Sequence, residues 1–169
     1  MNRWLAGLLG VVFYAAPHAE MQQLSPELVE VQDADTLAVE IDGVPYRIQL
    51  PAVDAPESVH NPKLMRDVQR TGLDAETLLP LGRAADQWLR NQLHGFEPFR
   101  LHTDLTYRDK YGRVPGDLLA EDGRRLSTLV VEEGYGVPVG DQQAERQQEL
   151  QDAVARARAE RRGLWGSHA

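Results

Sequence analysis

The chain has 169 residues and no cysteine, which excludes disulfide bonds, thiolate metal sites and cysteine nucleophiles. A chain of this length buries an adequate core within one domain that carries a short appendage. The formal net charge of −8 counts against tight nonspecific binding of nucleic acid, because such binding rests on Lys and Arg neutralising phosphates. A locally basic cleft is not excluded, since the potential inside a cleft can differ from the net charge.

Residues 1–19 have the layout of a secretory signal peptide, with a basic start, an apolar run from Trp4 to Ala16 and a small, polar end. The run is shorter than the about 20 residues that a membrane-spanning helix needs. We therefore expect a periplasmic or secreted domain of residues 20–169, with no stable membrane insertion after the signal is removed. The alternative is an uncleaved anchor, because the positions before Ala19 are not a clean Ala-x-Ala site.

Three strands are predicted in the first third of this domain. Glu20–Pro26 is a polar and flexible lead-in, and Glu27–Gln32 alternates in the manner of a first strand. Thr36–Ile41 and Tyr46–Leu50 also alternate, and Asp42-Gly43 between them is a strong signal for a tight turn. The two segments therefore predict a hairpin.

The hairpin brings carboxylates together at one end of the sheet. Asp35 precedes its first strand, and Asp54 and Glu57 follow its second strand. Three converging carboxylates repel one another unless a cation lies among them. Hard cations such as calcium bind in all-oxygen sites of this kind.

Two short helices are predicted after the hairpin, at Pro62–Arg70 and Asp74–Leu79, with Asn61 as a capping residue and Gly72 as the break. Basic residues of this region face either a substrate or solvent, and a solvated helical flap is the favoured interpretation. These residues are His60, Lys63 and Arg66.

The second half of the chain alternates between helices and strands. Helices are predicted over Gly82–Leu93, Ser127–Glu133 and Asp141–Arg162, the last of them followed by Leu164 and Trp165 folded onto the core. Strands are predicted over Phe99–Asp104 and Val114–Ala120. Pro115 indicates that the second of these strands is an edge strand or carries a bulge.

Three segments resemble the signature segments of the staphylococcal nuclease-like (thermonuclease) family. They are Asp33-Ala34-Asp35-Thr36, Val53-Asp54-Ala55-Pro56-Glu57 and Asp109-Lys110-Tyr111-Gly112-Arg113. Leu129–Gly134 and Gly163-Leu164-Trp165 resemble two weaker features of that family. The resemblance runs from about residue 27 onward, in matching order and with roughly matching spacing.

The order of three strands, a helix, two strands and two helices predicts an α+β fold, a five-stranded OB-fold β-barrel with three main helices. Relative to the shortest family members, residues 58–81 are a short helical insertion. OB-fold barrels bind ligands between the loop joining strands one and two and the loop joining strands four and five. Those loops are residues 33–35 and 105–113, so the acidic cluster and the Tyr-Gly-Arg segment lie on the same side.

The resemblance implies a calcium-dependent nuclease that hydrolyses phosphodiester bonds of DNA, RNA or both. With the signal peptide, this predicts an exported enzyme, which we expect to be a monomer. Ca²⁺ would be held by Asp35, Asp54 and the backbone carbonyl of Ala55, as at the matched positions of the family. Glu57 is the expected general base. Arg113 would donate planar hydrogen bonds to phosphoryl oxygens, a task suited to guanidinium. Lys110 and Tyr111 match two further family positions, whose residues contact the terminal phosphate of the substrate.

Two positions depart from the family pattern. Ala34 stands where the family usually has glycine, which costs strain only if this position needs a positive φ. Gln49 stands where the family has a second arginine. Its amide can donate a hydrogen bond to the substrate but brings no positive charge. Arg47 shares a strand face with Gln49 at a displacement of roughly 7 Å and is the substitute we consider for the missing catalytic arginine. The competing hypothesis is a catalytically impaired OB-fold module that binds nucleic acid or another partner.

Overall fold

The computed structural model describes residues 21–95, 99–140 and 144–166. The predicted signal peptide, residues 1–19, lies outside these ranges. The strands are β1 (Gln22–Leu24), β2 (Glu27–Asp33), β3 (Thr36–Ile41), β4 (Val44–Gln49), β5 (Val53–Asp54), β6 (Arg100–Thr103), β7 (Val114–Leu119) and β8 (Val137–Pro138). The helices are α1 (Pro62–Thr71), α2 (Ala75–Gly95), α3 (Leu126–Glu132) and α4 (Ala144–Ala159), followed by a 3₁₀ turn at Gly163–Trp165.

The main sheet is a closed barrel. Its strand order is β1-β6-β7-β4-β3-β2, with β4 and β7 parallel and the other pairs antiparallel. The two terminal strands of this order, β1 and β2, are consecutive in the chain and are joined by Ser25 and Pro26. One bent segment therefore pairs with β6 through its first part and with β3 through its second. The predicted α+β OB-fold barrel is confirmed.

The lead-in was wrongly predicted as flexible, because Gln22–Leu24 pairs with β6. Its polar side chains gave no strand signal, and the pairing partner lies almost 80 positions further along the chain. The prediction of separate helices at Asp74–Leu79 and Gly82–Leu93 was also wrong, since α2 continues through Pro80. Proline inside a helix costs about 3 kcal/mol, and burial of leucines along α2 offsets this cost. These leucines are Leu78, Leu79, Leu89 and Leu93.

The prediction that Pro115 marks an edge strand was wrong, because β7 lies between β4 and β6. The parallel pairing of β4 with β7 comprises Ile48↔Val114 and Gln49↔Pro115. A pairing this short tolerates one missing N–H group. The carbonyl of Pro115 instead accepts a hydrogen bond of 2.8 Å from the Thr103 hydroxyl.

The core fills the barrel and continues under α2, α3 and α4. Trp88 of α2 packs against this core and contacts Tyr135 in a tilted arrangement with ring centroids 5.7 Å apart, as expected of a core residue. Leu164 packs against the leucines that α1 and α2 share. None of the helices within the described ranges has the length and apolar composition that crossing a membrane requires.

Candidate active site

A cleft of about 730 Å³ opens between the barrel and α1, at the end of the β3–β4 hairpin that is opposite its turn. The register of the hairpin puts Thr36 opposite Gln49 and Ala38 opposite Arg47. The turn at Asp42 and Gly43 has positive φ at both residues, as a two-residue hairpin loop of type I′ requires. Most of the predicted site residues line the cleft, namely Asp35, Arg47, Gln49, Asp54, Glu57, Tyr111 and Arg113.

Asp35 is buried at the base of the cleft, with both of its carboxylate oxygens bonded. One oxygen accepts from the Thr36 hydroxyl at 3.0 Å, and the other accepts from the backbone N–H of Ala55 at 3.1 Å. Burial and the nearby charge of Asp35 raise the pKa of Asp33. Ala34 between them is buried and lies outside the positive-φ region, so alanine costs no backbone strain there. Because its pKa rises to about 7, Asp33 is only partly ionised at neutral pH and adds less negative charge to the cleft than an ordinary carboxylate.

Lys63 of α1 provides a cation among the acidic residues. Its Nζ lies 2.7 Å from the carbonyl oxygen of Ala55, 2.8 Å from Glu57 Oε1 and 2.9 Å from Asp54 Oδ1. Burial lowers the pKa of Lys63, but hydrogen bonds and charge interactions with Glu57 and Asp54 outweigh burial and raise it above its ordinary value. The ammonium is therefore firmly protonated. Asp35, by contrast, has no contact with it.

The sequence of α1 fixes this lysine in place. The side chain of Asn61 caps the helix by accepting from the backbone N–H groups of Lys63 and Leu64, both at 2.9 Å. Leu64 is buried against Leu78 and Leu79, which orients the inner face of α1 toward the cleft. The favoured prediction of a merely solvated flap was wrong for this face.

Two further residues of α1 extend the charged face, and sequence reasoning missed both. Asp67 lies 3.3 Å from Lys63 Nζ and 2.9 Å from Arg70, while Arg70 binds Asp54 Oδ2 at 2.7 Å. Positions 63, 67 and 70 have the i, i+4, i+7 spacing that places side chains on one helical face. That spacing was the sequence signal from which the shared face of these three residues could have been predicted.

Glu57 is held on both sides. One oxygen binds Lys63, and the other accepts a hydrogen bond from the side-chain amide of Asn61. Its backbone touches α2, where a Cβ atom on Gly82 would lie 2.2 Å from the carbonyl oxygen of Glu57. Only glycine at position 82 allows α2 to approach the segment that carries the expected base.

Arg113 lies on the opposite wall, within the loop between β6 and β7. Asp109 organises this loop by accepting from the backbone N–H groups of Tyr111 and Arg113 and from Arg113 Nε at 2.8 Å. Burial raises the pKa of Asp109, but these hydrogen bonds outweigh burial and lower it. Within the described ranges, no other hydrogen bond engages the Arg113 guanidinium. Its terminal nitrogens are therefore available to an anion.

Tyr111 is exposed and stands between two cations. Lys110 Nζ lies 5.0 Å and the Arg113 guanidinium carbon 5.2 Å from the centre of its ring, within the range of cation–π contacts. Lys110 itself does not line the cleft, and neither does the exposed His60, whereas Arg66 does. The loop thus combines an aromatic face with positive charge.

Gln49 and Arg47 are oriented by neutral partners. The side-chain oxygen of Gln49 lies 3.2 Å from the Thr36 hydroxyl and shares its single hydrogen with Asp35. Arg47 Nε donates to Gln32 Oε1 at 2.8 Å and the side chain remains exposed. Gln49 is therefore held at the base of the cleft. Arg47 lies at its edge, and its positive charge is not neutralised by the neutral amide that it binds.

The fit of the site to a metal ion rests on its oxygens. Over the three described ranges, no group of three acidic or histidine side chains is arranged to hold a metal ion directly. The oxygens of Asp54, Ala55 and Glu57 nevertheless converge on one cation, the Lys63 ammonium. Carboxylate and carbonyl oxygens are the donors that calcium prefers. The donor set is compatible with calcium, while the lysine is an occupant that sequence reasoning did not foresee.

Two comparisons with known proteins place the chain among nuclease relatives. A family model described as "Staphylococcal nuclease homologue" matches residues 47–167. The protein named Endonuclease YhcR of Bacillus subtilis (strain 168) is 29% identical over 127 residues, which cover 72% of this chain and 10% of the relative. The chain therefore spans about a tenth of the length of that curated relative.

Proposed function

Because the chain belongs to the staphylococcal nuclease family, we propose that it is an exported, calcium-dependent nuclease that cleaves phosphodiester bonds of DNA, RNA or both. The observation that carries the proposal is a single cleft lined by Asp35, Asp54, Glu57 and Arg113. An acidic cluster can bind a cation and activate water, and a guanidinium can bind phosphoryl oxygens, so the combination suits hydrolysis of a phosphodiester. The name of the relative, an endonuclease, supports the same reaction class.

Asp35, Asp54 and the Ala55 carbonyl are the proposed calcium ligands. When bound, the ion would supply positive charge that polarises the phosphoryl group. The family is calcium-dependent, and the convergence of oxygens from Asp54 and Ala55 on one cation supports the assignment.

Glu57 is proposed as the general base that accepts the proton of the attacking water. Its carboxylate lines the cleft and is only 14% exposed, so that it meets few competing waters. The amide of Asn61 holds one of its oxygens and fixes the orientation of the other. The role of Glu57 requires that Oε1 be released by Lys63.

Arg113 is proposed to stabilise the charge that develops on the phosphoryl oxygens. Asp109 orients the guanidinium through Nε and leaves the fork of terminal nitrogens for the anion. Tyr111 and Lys110 are proposed to receive the terminal phosphate of the substrate. Arg47 is proposed to supply part of the charge that Gln49 lacks.

Export is proposed from residues 1–19, whose basic start and apolar run are typical of a signal peptide. We also propose that the chain acts as a monomer. Mass determination of the N-terminus of the exported protein tests the cleavage, and a retained Met1 would contradict it.

The central experiment is a hydrolysis assay on denatured DNA and on RNA, with the full chain in calcium or in chelator. We expect new termini to appear in calcium and no cleavage after chelation. Cleavage that is indifferent to chelation would contradict the calcium requirement. Binding of the same substrates without cleavage would instead favour the impaired OB-fold module, which two observations support: Gln49 brings no charge, and Glu57 is engaged on both oxygens.

The metal ligands are tested independently by stability. Calcium should raise the melting temperature, since a ligand that binds only the folded state stabilises it. Asp35→Asn should abolish most of that rise, while its melting temperature in chelator serves as the control for folding. A rise of equal size in the variant would contradict the assignment of Asp35.

A further inference from the structure

The ammonium of Lys63 binds oxygens that the proposed reaction requires for calcium and for the general base. Two of its partners, the Asp54 carboxylate and the Ala55 carbonyl, are among the proposed calcium ligands. Its third close partner, Glu57 Oε1, is an oxygen of the proposed base. One side chain of the helical insertion thus blocks both the cation and the base.

The identity of the side chain fits this position. The chain contains only two lysines, Lys63 and Lys110, against sixteen arginines. An ammonium is a compact point charge whose three donors point in different directions, whereas a guanidinium is planar. Here the oxygens of one carbonyl and two separate carboxylates surround a single point, an arrangement that suits the ammonium. They would equally suit a spherical metal ion, since Ca²⁺ binds oxygens at about 2.3–2.6 Å.

We propose that Lys63 is a tethered competitor of calcium and that it sets the calcium concentration at which the nuclease becomes active. This inference rests on the proposed function. The ammonium and a divalent ion cannot both contact the same oxygens, because they repel each other and use the same lone pairs. Entry of calcium therefore displaces Lys63 and, in the same event, releases Glu57 Oε1 for its proton transfer.

The displaced lysine has a partner within reach. Asp67 lies on the same helix at i+4, 3.3 Å from Nζ, and is buried at its side chain. Lys63 can retain this contact when it leaves Asp54 and Glu57. Displacement therefore needs a rotation of one long side chain and no unfolding of α1, whose cap and leucine contacts involve other atoms.

The wild-type chain allows a direct test by acylation of its lysines. Acylation with acetic anhydride needs an amine nitrogen that is free to attack the reagent, whereas Lys63 Nζ is engaged by three oxygens at 2.7–2.9 Å. Lys110, which is exposed and does not line the cleft, is the internal reference. We expect the ratio of Lys63 to Lys110 labelling, measured by mass spectrometry of proteolytic peptides, to rise several-fold in calcium compared with an equal ionic strength of potassium chloride.

A variant gives the second readout. Lys63→Met removes the ammonium and keeps an unbranched side chain that favours the helix. The calcium concentration for half-maximal binding, measured by titration calorimetry, should fall by roughly tenfold or more relative to wild type. Arg83→Met is the matched control, since it removes a positive charge from an exposed residue of α2 that does not line the cleft. Lys63→Arg keeps the charge but replaces the compact ammonium with a planar fork, so its calcium affinity should lie between those of wild type and Lys63→Met.

The outcomes separate this inference from the proposed function. An unchanged labelling ratio together with a calcium-induced rise in melting temperature would overturn competition by Lys63 and leave the calcium site in place. Equal calcium affinity in wild type and Lys63→Met would do the same. Absence of calcium binding in both proteins would overturn the competition and the calcium requirement together. If Lys63→Met fails to fold, the wild-type labelling decides alone.

Discussion

The two walls of the cleft satisfy their cations in different ways. On the barrel wall, formed by β4 and residues 105–113, Arg47 binds a neutral amide and Arg113 gives only one nitrogen to Asp109. On the helix wall, formed by α1 and residues 54–57, Lys63 and Arg70 are each surrounded by carboxylates. The barrel wall presents positive charge to a ligand, whereas Lys63 and Arg70 of the helix wall direct theirs to neighbouring carboxylates.

The difference follows from how each wall is built. Sheet register fixes the barrel wall, since Gln49 and Arg47 must emerge on the same face whatever their partners are. The helix wall depends on ion pairs among Lys63, Asp67 and Asp54, which a competing cation can rearrange. Under the proposed competition, the barrel wall is the fixed half of the site, and the helix wall is the half that changes when calcium binds.

The largest effect is expected from a change on the helix wall at Glu57. Glu57→Gln keeps the shape of the side chain but cannot accept a proton, so kcat on denatured DNA should fall by roughly 10²–10⁴-fold. The measurement is made at saturating calcium, with the melting temperature as a control for folding. Wild-type kcat in this variant would show that another group is the base.

On the barrel wall, the largest effect is expected from a substitution of Arg113. Arg113→Ala removes preorganised donors aimed at the phosphoryl oxygens, and loss of such a donor lowers the rate by about 10²–10³-fold. Arg113→Lys should recover only part of this rate, because an ammonium cannot form the planar fork. Calcium binding by calorimetry should be unchanged in both variants. A loss of calcium binding would mean that the two walls are not separate.

The barrel wall was also the half that the sequence predicted well. Alternation in β3 and β4 and the Asp-Gly turn are local signals, and they sufficed to place Asp35 beside the end of β4. The placement of Gln49 and Arg47 on one face followed from the period of two. Strand β1 escaped prediction because Gln22–Leu24 is ordered only by its distant partner β6.

The helix wall was predicted poorly for a physical reason. Lys63 and Asp67 show the spacing of an ordinary pair on an exposed helix, and such pairs are common on solvated surfaces. What turns them into the cleft is the burial of Leu64 against Leu78 and Leu79, a tertiary contact. The sequence contained the charge pattern but not the direction in which α1 faces.

A gain of function would sharpen the comparison by adding charge to the barrel wall. If Arg47 does not compensate for Gln49, Gln49→Arg should raise kcat by a sizeable part of about 10²-fold. If Arg47 does compensate, Gln49→Arg should have little effect or lower activity through crowding of like charges, and Arg47→Ala should inactivate the wild type. Both variants are compared with Arg83→Met, which changes the charge of the protein away from the cleft. Activity that is indifferent to both would mean that β4 does not face the phosphate.

The smallest effect concerns the start of the helix wall, at Asn61. Asn61→Ala removes the cap that binds the N–H groups of Lys63 and Leu64. Loss of such a cap costs about 0.5–2 kcal/mol, which at this chain length lowers the melting temperature by roughly 2–4 °C per kcal/mol. Asn61→Ser restores a capping oxygen but is too short to reach Glu57. Its stability should therefore return to wild type, while kcat stays reduced in both variants if the amide orients the base. Equal stability of all three proteins, measured by thermal unfolding in chelator, would show that the ion pairs of α1 hold the helix wall without the cap.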